Sequence, residues 1–186
     1  MKELIRETLL FIYRLEPRSL AGYAVIAALL FCILYRKCRC TSWLRPCLGI
    51  VLAGWSAMVL CSTLFSRGGG THASNWVPMH TYRQVLAGAS RELLRSAFMN
   101  VLLFFPGGLF YAGLMPENRS FPGGLFRTIL LFALFSLSIE LSQCFWQLGV
   151  SEFDDILHNT LGAAAGYTVF YGFTHLIKKW EYCQKK

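Results

Sequence analysis

Five apolar runs, separated by polar segments, are close to the length that crosses a bilayer. They lie at about Leu20–Tyr35, Pro46–Phe65, Ser96–Met115, Thr128–Gln147 and Ile156–Ile177. A helix needs roughly 20 mainly apolar residues to cross the hydrocarbon core. The pattern therefore predicts an all-α fold, a polytopic helical membrane bundle with about five transmembrane helices.

The first eighteen residues have a different pattern. Leu4, Ile5, Leu9, Ile12 and Leu15 recur at helical spacing among charged residues. Such a pattern is typical of an amphipathic helix that lies in the membrane interface. We therefore divide the chain into an interfacial amphipathic helix at 1–18, a transmembrane bundle at 19–177 and a basic cytoplasmic tail at 178–186.

The composition agrees with a membrane protein and limits its partners. Hydrophobic residues make up 55% of the chain and charged residues 15%, whereas soluble domains have about 45–50% and about 25%. The net charge of +8 favours contact with anionic membrane lipids. Nucleic acid is not an expected partner, because the chain has no nucleic-acid-binding motif.

The placement of Lys and Arg predicts the orientation of the bundle. With five spans, the Arg36–Arg45 loop, the Pro116–Arg127 loop and the C-terminal tail lie on one side, and together they carry slightly more basic residues than the other side. Basic loops are retained in the cytoplasm. We expect a multi-pass plasma-membrane protein with a cytoplasmic C-terminus and with the acidic turn at 152–155 outside.

The fourth predicted span carries a polar stripe. Ser136, Glu140, Gln143 and Gln147 follow one another at intervals of four, three and four residues. This spacing places them on one helix face. A carboxylate inside a span costs roughly 2.5–3.5 kcal/mol on insertion scales and is by default paired, protonated or exposed to a wet cavity. The stripe therefore indicates an internal polar site.

The fifth predicted span has a matching stripe. Asp155, Asn159, Gly162 and Gly166 show the same spacing, and Glu152 and Asp154 precede them. Because only a short turn joins the two spans, we expect the two stripes to face each other. Gly162 and Gly166 also frame "GAAAG", a pattern typical of close helix packing, and a homodimer through this face is one alternative.

The third predicted span contributes Asn100 near its outer end and Pro106-Gly107-Gly108 near its middle. Proline removes a backbone donor and clashes with the preceding turn, so we expect a kink or break there. The three spans together predict one polar site near the outer leaflet. Its candidate residues are Glu140, Gln143, Glu152, Asp154, Asp155, Asn159 and Asn100.

These motifs resemble those of a known family. "NWVPMHTY", "FMNVLLFFPGGLF", "SLSIELSQ" and "EFDDILHNTLGAAAGY" follow one another, over roughly residues 75–171, in the order of the VanZ-like bacterial membrane proteins. The matching positions are Asn100, Pro106, Gly108, Glu140, Gln143, Glu152, Asp155, Asn159, Gly162 and Gly166. The chain departs from the family pattern at Gly107, where Phe is usual, and lacks an Arg shortly before the acids.

The resemblance implies a role in the bacterial cell envelope, linked to resistance against glycopeptide antibiotics of the teicoplanin type. It implies no settled enzymatic activity, so we favour a non-enzymatic protein that binds a lipid-linked cell-wall precursor or the antibiotic. Two alternatives stay open: an intramembrane enzyme that acts on a lipid or prenyl-phosphate, and a small proton-coupled carrier that uses Glu140.

The polar residues also allow simpler interpretations. A buried interhelical hydrogen-bond network would explain Glu140, Gln143 and Asn159 without any ligand. A divalent cation on the acids and His158 is a further alternative, but the spacing matches no recognised metal motif. We therefore assign no metal and no cofactor. His158 itself is expected to be a solvated or membrane-interface histidine.

Overall fold

The computed structural model describes residues 17–38, 42–65, 73–88, 92–116, 118–148 and 150–184. Six α-helices occur in these ranges: α1 (Pro17–Cys38), α2 (Leu44–Leu60), α3 (His80–Leu86), α4 (Glu92–Leu114), α5 (Phe121–Trp146) and α6 (Phe153–Gln184). A π-helical turn, Cys61–Phe65, follows α2, and two short strands are β1 (Ala73–Asn75) and β2 (Val150–Glu152). The predicted N-terminal amphipathic helix lies outside the described residues, apart from residues 17 and 18, which begin α1.

Three helices in the described part are long and apolar enough to cross a membrane, and their ranges are Leu44–Leu64, Glu92–Leu114 and Phe121–Trp146. The predicted helical membrane bundle is thereby confirmed. The count of five spans stays a prediction, since α1 and α6, which contain the first and fifth predicted spans, are not among these three.

The long connection between the second and third predicted spans is partly ordered into β1 and α3. Strand β1 pairs with β2 in parallel, and Ala73, Ser74 and Asn75 lie opposite Val150, Ser151 and Glu152. This small sheet is an exception to the predicted all-α fold. Its consequence is that the segment 73–88 lies against the turn that joins α5 to α6.

The bundle has two chemically different ends. At one end, which we call the acidic end, α6 begins just after Glu152, beside β1 and α3. At the other, which we call the basic end, α1 ends with Arg36 and Lys37 in its last turn. The connection from α4 to α5, which contains Arg119, lies at the basic end too, because α4 runs from the acidic end to the basic end and α5 runs back.

Helices α4 and α6 form the closest interface, and glycines make it possible. At Gly108, Gly162 and Gly166 an added Cβ atom would fall on a backbone carbonyl oxygen of the facing helix. Only glycine permits such an approach of two backbones. The face of α6 that "GAAAG" presents is therefore covered by α4 of the same chain, and a homodimer would need another surface.

Of the expected kink or break at Pro106, the break does not occur, because α4 runs continuously from Glu92 to Leu114 with Pro106 inside it; the kink stays a prediction. Proline leaves the carbonyl four residues earlier, that of Leu102, without its helical donor. One residue further along, the carbonyl of Leu103 accepts a hydrogen bond from the Trp55 indole at 3.1 Å. Gly107 makes room for this neighbour, since an added Cβ would strike the Trp55 ring.

An aromatic cluster fills the core between α2, α4 and α5. The Trp55 ring meets Phe104 edge-on at a centroid distance of 5.5 Å and Phe132 at 5.8 Å. All three side chains are buried. Such edge-to-face pairs contribute about 0.5–1.5 kcal/mol beyond the burial of their area. This cluster fixes α5 against α4 below the polar residues of the acidic end.

Candidate functional site

The carboxylate of Glu140 ties the inside of α5 to strand β2. Glu140 is only 2% exposed, and its Oε2 atom accepts a hydrogen bond from the backbone N–H of Glu152 at 2.9 Å. In return, the Ser151 hydroxyl donates to the Glu140 carbonyl oxygen at 3.1 Å. Hydrogen bonds to a carboxylate are shorter and stronger than neutral ones. The intramembrane acid therefore positions the acidic turn.

The two predicted polar stripes face each other. The Asn159 Nδ2 of α6 donates to the Ser136 Oγ of α5 at 2.8 Å, and both side chains are buried. Gln143, also buried, donates from Nε2 to the carbonyl oxygen of Thr63 at 3.0 Å. Thr63 lies in the π-helical turn at the end of α2, where carbonyls lack intrahelical donors.

Two buried oxygens in this network have no hydrogen-bond partner among the described residues, and they are Oε1 of Gln143 and Oδ1 of Asn159. A buried polar atom without a partner costs about 1–3 kcal/mol. Water or a ligand group would remove that cost. Gln147, the last member of the predicted stripe, is instead exposed and ends α5 in a left-handed conformation.

Asp154 anchors the segment 73–88 to the start of α6. Its side chain is 1% exposed. One carboxylate oxygen accepts the backbone N–H of Met79 at 2.7 Å, and the other accepts that of Thr81 at 2.8 Å. These donors belong to the N-terminal end of α3, where an anion is favoured. Asp154 therefore holds α3 in place over the acidic end.

The expectation that His158 is solvated or interfacial is wrong. His158 is only 3% exposed, because the segment 73–88 covers this part of α6. Its Nε2 atom lies 3.0 Å from the hydroxyl of Tyr82. Its Nδ1 atom is buried and has no hydrogen-bond partner among the described residues. The residue that reaches His158 thus comes from the long polar connection.

A polar cavity of about 170 Å³ lies at the acidic end, beside these contacts. Three parts of the chain line it: the segment 73–88, the first turns of α4, and the region from β2 into α6. The lining residues are Thr81, Leu93, Ser96, Ala97, Val150, Glu152, Asp155 and His158. The cavity therefore combines two carboxylates, two hydroxyls and one imidazole, a set that can accept hydrogen bonds from a polar ligand.

The structure thus separates the predicted site residues into two layers. Glu140, Gln143 and Asn159 belong to the inner network, and Glu152 and Asp155 line the cavity above it. Asn100 lies half-buried on α4, four residues after Ser96. This spacing puts it one turn below the cavity on the same helix face.

Sequence reasoning did not identify Thr81, Tyr82 and Ser96 as site residues. Thr81 and Tyr82 lie in "NWVPMHTY", whose position ahead of the other motifs was the available signal. Ser96 carried no signal, since a serine at the start of an apolar helix is commonplace. As for metals, the described part of the chain contains no group of three His, Cys, Asp or Glu side chains arranged to hold an ion.

Comparison with known proteins gives one family. A family model described as VanZ/LLP1 matches residues 48–177, which is more than half of the chain. The matched range includes most of α2, all of α4 and α5, both strands and every residue that lines the cavity. No curated protein matches the chain, and no solved structure matches it.

Proposed function

The chain belongs to the VanZ/LLP1 family, and on this premise we propose that it is a binding protein of the bacterial cell envelope. Its cavity at the acidic end would take part of a lipid-linked cell-wall precursor or of a glycopeptide antibiotic. Binding would lower the susceptibility of the cell to antibiotics of the teicoplanin type. In the proposed orientation the C-terminus is cytoplasmic and the acidic end faces the outside, where both ligands occur.

One observation carries the proposal: polar side chains from three distant parts of the chain converge on one cavity. A concave site with a few convergent polar groups is the usual form of a ligand-binding site. A packing network needs no such space. The hydrogen bonds of Glu140 and Asp154 hold the cavity walls from two sides, and a wall that is already ordered loses less entropy when a ligand binds.

The chemistry of the lining supports a ligand with hydroxyl or amino groups. A carboxylate, the side-chain group of Glu152 and Asp155, accepts hydrogen bonds and does not donate them when it is ionised. Sugar hydroxyls and ammonium groups are suitable donors, and cell-wall precursors and glycopeptides carry both. At about 170 Å³ the cavity is smaller than the roughly 300–1,000 Å³ pockets that enclose drug-sized ligands. It would therefore hold one group of a larger molecule.

The experiment compares antibiotic susceptibility in a Gram-positive host that expresses the wild type or a variant. Glu140→Gln and Asp155→Asn change the acids of the inner network and of the cavity, and Glu181→Gln is the matched control, because Glu181 pairs with Arg36 away from the cavity. Membrane levels are measured by immunoblot, and teicoplanin is tested beside vancomycin. We expect protection from teicoplanin by the wild type and the control, and loss of protection in equally abundant Glu140→Gln and Asp155→Asn variants.

Two results would count against this proposal. Wild-type protein that changes no susceptibility would remove the resistance role. Conversion of a lipid or prenyl-phosphate by the purified protein would favour the alternative, an intramembrane enzyme. A turnover assay on detergent-purified protein, monitored by mass spectrometry of the lipids, distinguishes the two functions.

A further inference from the structure

A second groove lies at the basic end, on the opposite side of the molecule from the cavity. It is formed by the last turns of α1, by the connection before α5 and by the second half of α6. Three cationic residues line it, Arg36, Arg119 and Lys178, and no acidic residue does so in the described part of the chain. Its remaining wall is largely aromatic and aliphatic, with Phe170, Phe173 and Ile177 among the lining residues.

Arg119 is held firmly at this groove. Its guanidinium lies over the rings of Tyr167, Tyr171 and Phe170 at 5.4, 5.8 and 5.9 Å from the ring centres. Its Nη1 atom donates to the carbonyl oxygen of Pro116 at 2.9 Å. Its Nε atom is buried and has no hydrogen-bond partner among the described residues. A ligand that supplies an acceptor would satisfy this buried guanidinium N–H.

In the described part of the chain, the groove carries more positive than negative charge. Arg36 lies 3.6 Å from Glu181, across α1 and α6, and 5.3 Å from the centre of the Trp180 ring. Glu181 therefore compensates part of the charge of Arg36. Arg119 and Lys178 add two further positive charges to the same groove. A multiply charged anion is the complementary ligand.

We propose that this groove binds the phosphate of an anionic membrane lipid. The groove holds about 40 Å³, so only a phosphate-sized group enters it and the acyl chains stay in the bilayer, against the apolar wall. Basic pockets between transmembrane helices on the cytoplasmic side recognise anionic headgroups in this way. The proposal concerns the end opposite to the cavity and does not depend on the function proposed there.

Two pairs of adjacent cations provide the test. Lys178 and Lys179 are both exposed, but only Lys178 lines the groove. Arg36 and Lys37 form a second pair of the same kind. Each pair has nearly the same depth in the membrane, so replacing one member or the other with Gln changes the net charge equally. Any difference between the two variants then reports on the groove alone.

The experiment is native mass spectrometry of the full chain in detergent, titrated with phosphatidylglycerol or phosphatidylcholine of identical acyl chains. We expect the wild type to retain phosphatidylglycerol preferentially. Lys178→Gln and Arg36→Gln are expected to weaken this retention about five-fold each, from the contribution of one basic residue near an anionic headgroup. Lys179→Gln and Lys37→Gln are expected to leave it unchanged.

Three outcomes would overturn the proposal. The first is equal retention of the two lipids by the wild type, and the second is an equal loss in both members of each pair. The third is displacement of the lipid by millimolar inorganic phosphate, which would assign the groove to a soluble anion. If one groove variant fails to accumulate, the other pair still gives the answer, because the two pairs lie on different helices.

Discussion

The carboxylate of Glu140 and the backbone N–H of Glu152 lie 2.9 Å apart and form a hydrogen bond between the inside of α5 and strand β2. This bond uses the backbone of Glu152 and not its carboxylate. The arrangement gives the intramembrane acid a structural role and leaves the Glu152 side chain free to line the cavity. Mutation of Glu140 therefore tests the structural role, and mutation of Glu152 tests the cavity lining, independently of each other.

Glu140→Ala is expected to lower the free energy of unfolding by about 1–3 kcal/mol, because a buried N–H then loses its acceptor. Glu140→Gln keeps an acceptor oxygen and is expected to lose less. Thermal unfolding in detergent measures both. Glu181→Ala, at the basic end, serves as the control, and a Gln variant as unstable as the Ala variant would contradict the assignment.

Gly162→Ala is expected to destabilise the protein by roughly 1–3 kcal/mol or more, since its Cβ would fall on the carbonyl oxygen of Val101. A backbone atom cannot rotate away as a side chain can. Gly172→Ala on the same helix is the matched control, because a Cβ there meets nothing within 4 Å. The control is expected to be neutral or slightly stabilising, and the melting temperatures of the two variants should differ clearly.

Asp154→Ala is expected to loosen the segment 73–88 without unfolding the bundle. Each hydrogen bond from an N–H to a carboxylate contributes about 1.5–3 kcal/mol, so hydrogen exchange at Met79 and Thr81 should accelerate by about ten-fold or more. Exchange in α4 should stay unchanged. Asp155→Asn, one residue away, is the control, and unaltered exchange at Met79 in Asp154→Ala would refute the anchoring role.

Tyr82→Phe is expected to change the environment of His158 specifically. The variant removes the hydroxyl that lies 3.0 Å from His158 Nε2, so neither ring nitrogen keeps a partner among the described residues. Side-chain ¹⁵N chemical shifts of labelled histidine report the change of tautomer. Tyr111→Phe, on α4, should leave these shifts as they are in the wild type.

The sequence was most informative where periodicity and burial coincide. The spacing of Ser136, Glu140 and Gln143 placed them on one face of α5, and the short turn to α6 brought Asn159 opposite them. Helical period and a short connection are local properties, so they can be read without knowing the fold. The same holds for Gly162 and Gly166, whose four-residue spacing indicated the close helix packing that the structure shows.

The covering of the acidic end could not be predicted in this way. Asp154 binds backbone N–H groups of Met79 and Thr81, and every residue except proline carries such a group. This contact therefore requires no particular side chain in the partner segment. The continuity of α4 through Pro106 was equally hidden, because a distant indole, that of Trp55, donates to the helix beside the proline.

The parallel pairing of β1 with β2 joins two segments that are far apart in the order of synthesis. Residue 73 leaves the ribosome long before residue 150, its partner in the sheet, and the contact from Met79 to Asp154 spans 75 residues. The segment 73–88, which covers the cavity, therefore cannot pair with β2 until α4 and α5 have been synthesised. The cavity is complete only when α6 is present, because Asp155 and His158 of that helix line it, so a chain arrested before α6 would contain α4 and α5 but no cavity.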